Sequence, residues 1–214
     1  NCQEAENLYN KILKVEPNFI AAHRNLGVLF RSLGEFKKAI SSFEKIIEID
    51  PNYINAHYSI GVIYKENGEY QKAKKKFEKL IEIDPNHLNT LNDLGLTYKE
   101  LGDNKKAINS FKKIIQINPN YIKAHNNLGV IFELLGEYQK AISFFEKVIE
   151  INPNFIGVHH NFGVVYQKLE EYQKAINSYK KEIEFNPNSI NTYFNLGFIF
   201  NKLGYYLKAI NYYE

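Results

Sequence analysis

Histidine is the side chain best suited to bind a metal or move a proton near neutral pH. Four of the six here, His23, His57, His125 and His159, stand at multiples of 34 residues from one another. The same register is filled elsewhere by Leu91 and Tyr193, so the slot accepts any large side chain and reads as a packing position. Equivalent residues on neighbouring helices lie about 8 to 10 Å apart, too far to share one zinc ion with bonds of about 2 Å. His159 and His160 are adjacent and point about 100° apart on a helix. The sequence has no Cys/His ligand cluster, no G-x-x-x-x-G-K phosphate loop and no G-x-S-x-G elbow. No catalytic residue, metal site or cofactor is expected in this chain, and the expected reading is that it is not an enzyme.

A second row carries hydrogen-bonding chemistry: Asn25, Ser59, Asp93, Asn127, Asn161 and Asn195. An asparagine amide both donates and accepts, so it can pair with the N–H and C=O of an extended chain whatever that chain's side chains are. Helices about 8 to 10 Å apart would bring one amide to roughly every third residue of a strand rising about 3.3 Å per residue. A row of merely solvated polar groups is the alternative.

What spaces these residues is an internal repeat. The six prolines, Pro17, Pro51, Pro85, Pro119, Pro153 and Pro187, follow one another at 34 residues. Glycines at 27, 61, 95, 129, 163 and 197, and alanines from Ala5 to Ala209, keep the same step, as do two aromatic rows. Whole units run 20–53, 54–87, 88–121, 122–155 and 156–189, with 1–19 and 190–214 as partial units of a single array. In "IKAHNNLGVIFELLGEYQKAISFFEKVIEINPNF" (122–155), Gly136 separates two helical patterns, and proline ends the second because it lacks an N–H and clashes with the preceding turn. The asparagine after each proline is expected to cap the next helix. On the first helix Ala124, His125, Leu128, Gly129, Ile131, Phe132 and Leu135 form one arc, expected to face partner helices. Lys123, Asn126, Asn127, Val130, Glu133 and Leu134 form the other. Gly129 and Ala141 would let neighbouring helices approach closely, and a bulkier side chain there would strain the contact by about 1 to 3 kcal/mol.

His125, Leu128-Gly129, Phe132, Ala141, Phe145 and Pro153 together resemble the tetratricopeptide repeat fingerprint, and the other units repeat it along the whole chain. The resemblance implies an all-α, right-handed superhelical solenoid of antiparallel helix pairs, with the Asn127/Val130 face of each first helix lining a concave groove. It also implies a scaffold whose partners are proteins or peptides. "AHNNLGV" is similar to units of the repeat arm of O-linked N-acetylglucosamine transferases, which carry such an asparagine ladder; Ser59 and Asp93 depart from it.

The candidate groove then combines the polar row with an apolar one, Val28, Val62, Leu96, Val130, Val164 and Phe198, and with Arg24, Asn126 and His160 one residue before the ladder. The apolar row either contacts a ligand or is buried between adjacent first helices. The carboxylate clamp used by chaperone-binding members resembles a lysine followed four residues later by asparagine; Arg24 is followed by Val28 and Asn92 by Leu96, so it is not expected. Groove charge is mixed, with Arg24, Arg31, Lys65, Lys99, Lys123, Lys168 and Lys202 against Glu66, Asp93, Glu100 and Glu133. Lys38, Lys72, Lys106, Lys140, Lys174 and Lys208 form a second-helix row, read as a solvated outer face with a phosphate-binding stripe as the alternative. The period differs from the 35 residues of pentatricopeptide RNA binders.

Two units depart from the pattern. In the fifth, Glu170 replaces an interhelix glycine and Glu182 takes the apolar slot of Ile46, Leu80, Ile114 and Val148. A buried carboxylate without a partner is costly, so Glu182 should be paired or partly exposed. In the third, Asn104 replaces an aromatic residue.

The chain of 214 residues is 44% hydrophobic with a net charge of +3, too small to imply a general pull towards nucleic acid. No stretch approaches the roughly 20 apolar residues of a spanning helix, so no membrane insertion is expected. A single cysteine, Cys2, makes no internal disulfide and favours a reducing, cytoplasmic setting. Asn1 leads a sequence without methionine, and both ends fall inside second-helix patterns, with Tyr212 and Tyr213 at the last. The expectation is a fragment whose ends continue in a larger parent chain or stack end to end. The function expected is a protein–protein interaction scaffold holding an extended peptide or helix in its groove. The alternatives are the substrate-recruiting arm of a larger enzyme, such as a glycosyltransferase, and a structural assembly subunit.

Overall fold

In the computed structural model, which describes residues 2–214, those residues form thirteen α-helices and no strand. They are α1 (Cys2–Val15), α2 (Ile20–Ser32), α3 (Phe36–Ile49), α4 (Ile54–Glu66), α5 (Tyr70–Ile83), α6 (Leu88–Glu100), α7 (Asn104–Ile117), α8 (Ile122–Leu134), α9 (Tyr138–Ile151), α10 (Val158–Lys168), α11 (Tyr172–Phe185), α12 (Ile190–Lys202) and α13 (Tyr206–Tyr213). They fall into two compact units, one ending at Ile114 and the other running from Ile115 to Glu214.

Within the first unit α2/α3 and α4/α5 are hairpins, and α4 and α6 also pack on the second helix of the preceding hairpin. Its core includes Leu26, Phe30, Phe43, Ile46, Ile60 and Ile63. The second unit repeats the arrangement with α8/α9, α10/α11 and α12/α13, and one of its clusters joins Ala175, Tyr179, Leu196, Ile199 and Phe200. The apolar arc of α8 is buried as expected, at Ala124, His125, Leu128, Gly129, Ile131 and Phe132. Leu135 is not part of it. It caps the helix and is 44% exposed, because the arc ends where the chain turns.

The mid-helix glycines have a direct steric cause. A Cβ on Gly27 would sit 2.7 Å from the Phe43 ring, and Gly95 meets Phe111 at 2.8 Å; the same pairing joins Gly61 to Phe77, Gly129 to Phe145 and Gly163 to Tyr179. The second helix of each of these five hairpins thus seats a buried ring in the space a side chain would take, and burying a ring of that size stabilises by about 1.5 to 3 kcal/mol. This outweighs the helix cost of glycine, about 1 kcal/mol. The interhelix glycines do a different job: Gly34, Gly68, Gly102, Gly136 and Gly204 have φ between +73° and +80°. Glu170 takes the same place with φ +61°, a left-handed conformation a side chain disfavours.

Capping differs from the sequence expectation. The residue before each first helix is Phe19, Tyr53, His87, Tyr121, Gly157 or Ser189, not the asparagine after proline. The polar side chain before proline acts instead: Asp50, Asp84, Asn118 and Asn152 each accept the N–H two residues on, at 3.0 to 3.1 Å. That is an Asx turn, a local bond that competes with helix formation and ends the second helix.

Candidate functional site

In the first unit the first helices are cross-linked by charge. Arg31 of α2 donates through Nε and Nη2 to the Glu66 carboxylate of α4 at 2.8 and 2.5 Å. That hydrogen bond holds the Glu66 carboxyl below its ordinary value and the Arg31 guanidinium above its own. Asp93 of α6 is buried and accepts from Tyr58 Oη at 2.6 Å and Lys65 Nζ at 2.7 Å, both on α4. Asn25 and Ser59 are half-buried and Arg24 is exposed. Of the apolar row, Val28 is 57% exposed, Val62 is buried and Leu96 is half-buried. The row is therefore not uniform in exposure along the first unit.

The second unit makes its cross-links with amides. Asn161 Nδ2 of α10 donates to Asn126 Oδ1 of α8 at 3.0 Å, and Asn195 Nδ2 of α12 donates to Tyr179 Oη at 3.2 Å. Tyr179 in turn donates to Gln167 Oε1 at 2.9 Å, and burial pushes its phenol up. Asn126, Asn127, Asn161 and Asn195 are all half-buried, as are Val130 and Val164, whereas Phe198 is exposed. Burial also raises the Glu133 carboxyl, against the pull of Lys168.

The fifth repeat breaks the rule that a first helix starts at the isoleucine or leucine following the cap. Gly157 has φ +89°, so α10 begins at Val158 rather than Ile156. The main-chain N–H groups of Gly157 and His160 point to the Glu182 carboxylate of α11, at 3.0 and 3.1 Å for Gly157 and 3.3 Å for His160. Glu182 is only 1% exposed, so the expectation that it is paired holds with main-chain donors. Beside it lies a polar cavity of about 220 Å³ bordered by Asn126, His160, Asn161, Asn186 and Ser189. The His160 ring is held by Thr192 Oγ1 at 2.8 Å, and burial lowers its pKa. Sequence reasoning missed Gly157; its signal was a glycine off the 34-residue register.

The comparisons with known proteins address this repeat directly. A model described as TPR repeat matches residues 27–68, 95–136 and 168–204, and models described as tetratricopeptide repeat match 122–155, 54–87, 76–109 and 144–177. The chain belongs to the tetratricopeptide repeat (TPR) family. No curated protein matches it in sequence. Among solved structures, one titled "Crystal structure of MamA" is 30% identical over 72% of this chain and 90% of its own, with a TM-score of 0.64. A TPR protein from Parabacteroides merdae ATCC 43184 is 18% identical over 90% of this chain and 77% of its own, with a TM-score of 0.79. YrrB, titled a TPR protein with an unusual peptide-binding site, is 24% identical over 86% of this chain and 95% of its own, with a TM-score of 0.66. The fold class is therefore the all-α superhelical repeat array of TPR proteins, and the chain is a protein-interaction scaffold.

Two other residue rows belong to the TPR framework. His23, His57 and His125 use Nε2 to bond the carbonyl of Pro17, Pro51 and Pro119 at 2.7 to 2.8 Å, tying each first helix to the loop before it. In the irregular fifth repeat, His159 Nε2 is buried without a partner, and its ring stacks on Phe185 at 5.8 Å. Lys38, Lys72, Lys106, Lys140 and Lys174 each sit 5.1 to 5.4 Å over an aromatic ring at the end of a first helix. Each also pairs with the acid three residues earlier: Glu35, Glu69, Asp103, Glu137 or Glu171. These ammonium groups lie across the interhelix turn with their side chains 57 to 62% exposed, as the solvated-face reading expects, and each is engaged by an acid of its own hairpin. Among the described residues no helix is long and apolar enough to cross a membrane.

Proposed function

We propose that this TPR scaffold takes an extended peptide or helix of a partner protein on the first-helix faces, each unit through its own residues. The observation that carries the reading is the amide surface of the second unit: Asn126, Asn127, Asn161 and Asn195, half-buried beside Val130, Val164 and the exposed Phe198. An amide bonded to a neighbour through one atom keeps further donor and acceptor capacity, so the Asn161–Asn126 bond orients the row without exhausting it. Apolar side chains interleaved with it supply burial. On this reading the second unit carries the asparagine ladder that the transferase-like units suggest, and each 34-residue repeat is one step along the ligand. In the first unit Arg24, Asn25, Val28, Ser59, Val62, Asp93 and Leu96 form the corresponding face, where ion pairs replace amides. Binding rather than catalysis, and a reducing cytoplasmic setting, belong to the same proposal. The family relationship favours it over a recruiting arm of an enzyme or an assembly subunit.

The test is a peptide array of extended decapeptides probed with the whole chain, then with Asn127, Asn161 and Asn195 replaced by alanine. Each lost bond to the ligand main chain should weaken binding by about 0.5 to 1.5 kcal/mol. Equal affinity of the triple variant for the array peptides removes the ladder.

A further inference from the structure

Buried charges in proteins are nearly always paired with an opposite charge, because hydrogen bonds alone rarely repay the lost hydration. Glu182 is an exception: it is 1% exposed, and its bonds are to the main-chain N–H groups of Gly157 and His160. An ionised carboxylate has about four acceptor sites, and the Gly157 N–H is shared between both oxygens. The donors fix the carboxylate in place and leave part of its accepting capacity unspent. They belong to the start of α10, whose dipole offsets only about half a charge.

The space next to this carboxylate is polar and bordered by no lysine or arginine. His160, the other titratable side chain in its wall, has its pKa lowered by burial, which disfavours a competing positive charge there. Asn126 and Asn161 belong both to this wall and to the amide row on the first helices. A chain lying along that row would pass the mouth of the cavity.

We propose that the Glu182 cavity is a specificity subsite for one lysine or arginine side chain of the extended ligand. This rests on the first-helix reading given above. The ammonium or guanidinium N–H groups would pair with the free acceptor sites of Glu182, and the amide oxygens of the cavity wall and Ser189 Oγ supply the remaining acceptors. The volume of about 220 Å³ admits such a side chain. Ile46, Leu80, Ile114 and Val148 occupy the slot in the other repeats, so only the fifth repeat selects charge. The ligand class is a peptide with a basic residue at one fixed position, a choice that the mildly basic first-helix faces would not predict.

Two measurements test this. In the first, peptides that bind the whole chain on the array are resynthesised with each lysine or arginine replaced by norleucine. One position should lose about tenfold or more in affinity, as for a charge-assisted bond, and Glu182→Gln, which keeps shape and accepting oxygen, should abolish that difference. In the second, n-butylammonium and n-butanol are titrated into the isotope-labelled chain, and only the cation should shift the amide resonances of Gly157 and His160. Array peptides that bind equally with lysine or norleucine overturn the subsite while leaving the first-helix reading intact. Shifts from n-butylammonium in a chain that binds no array peptide would instead support the subsite and sink the wider reading. Equal shifts from cation and alcohol overturn the subsite without need of any variant.

Discussion

The two units link their first helices from the same repeat positions with different side-chain chemistry. In the first, Arg31–Glu66 and Tyr58–Asp93 link side chains 35 residues apart, with Lys65 completing the second link. In the second, Asn126–Asn161 makes the same 35-residue step with neutral amides. An ion pair offsets its own charge, whereas an amide pair is neutral from the start and keeps both donor and acceptor capacity. The difference teaches that the repeat fixes where lateral contacts fall, while residue type decides whether charge or neutral amides make them.

The largest effect should be blind to this contrast. Gly61→Leu and Gly129→Leu each drive a side chain into the ring behind it, Phe77 or Phe145, and each should cost about 3 kcal/mol of stability in chemical denaturation. A loss confined to one unit would break the claim of a shared framework. Next, Asp93→Ala strips Lys65 and Tyr58 of a partner in a largely buried site and should cost about 2 kcal/mol. Asn161→Ala, which removes a neutral half-buried bond, should cost about 1 kcal/mol. Similar losses would erase the distinction between the units.

A gain is expected at Glu170, whose φ of +61° suits glycine. Glu170→Gly should raise stability by about 1 kcal/mol, read as a higher denaturation midpoint. The smallest effect is in pH. Because Arg31 holds the Glu66 carboxyl below its ordinary 4.5, the pair stabilises fully above that pH and fades as pH falls through the lower folded value. Glu66 is partly exposed, so the change should be slight. Glu66→Gln should flatten that part of the acid stability profile.

The fold was legible because proline, glycine and the buried rings recur at one spacing, and each has a steric reason visible in a single repeat. The caps were misread because asparagine is abundant on both sides of proline, and only the backbone shows which one turns back on the chain. Glu182 was visible as a carboxylate in an apolar slot. Its partners were not, since main-chain N–H groups freed by Gly157 leave no trace in a side-chain pattern. The exposed setting of the lysine row was legible and its contacts were not, for a related reason: its rings and acids are neighbours through the turn, not along one helical face.

The pairing of each mid-helix glycine with a ring of its own hairpin has an evolutionary corollary. Because that contact never leaves the 34-residue module, a copy can be duplicated, deleted or exchanged between genes as a portable cassette without disturbing the fit in any other. Added modules therefore bring this contact with them ready-made, and a local oddity such as Gly157 with Glu182 stays inside the one module that carries it.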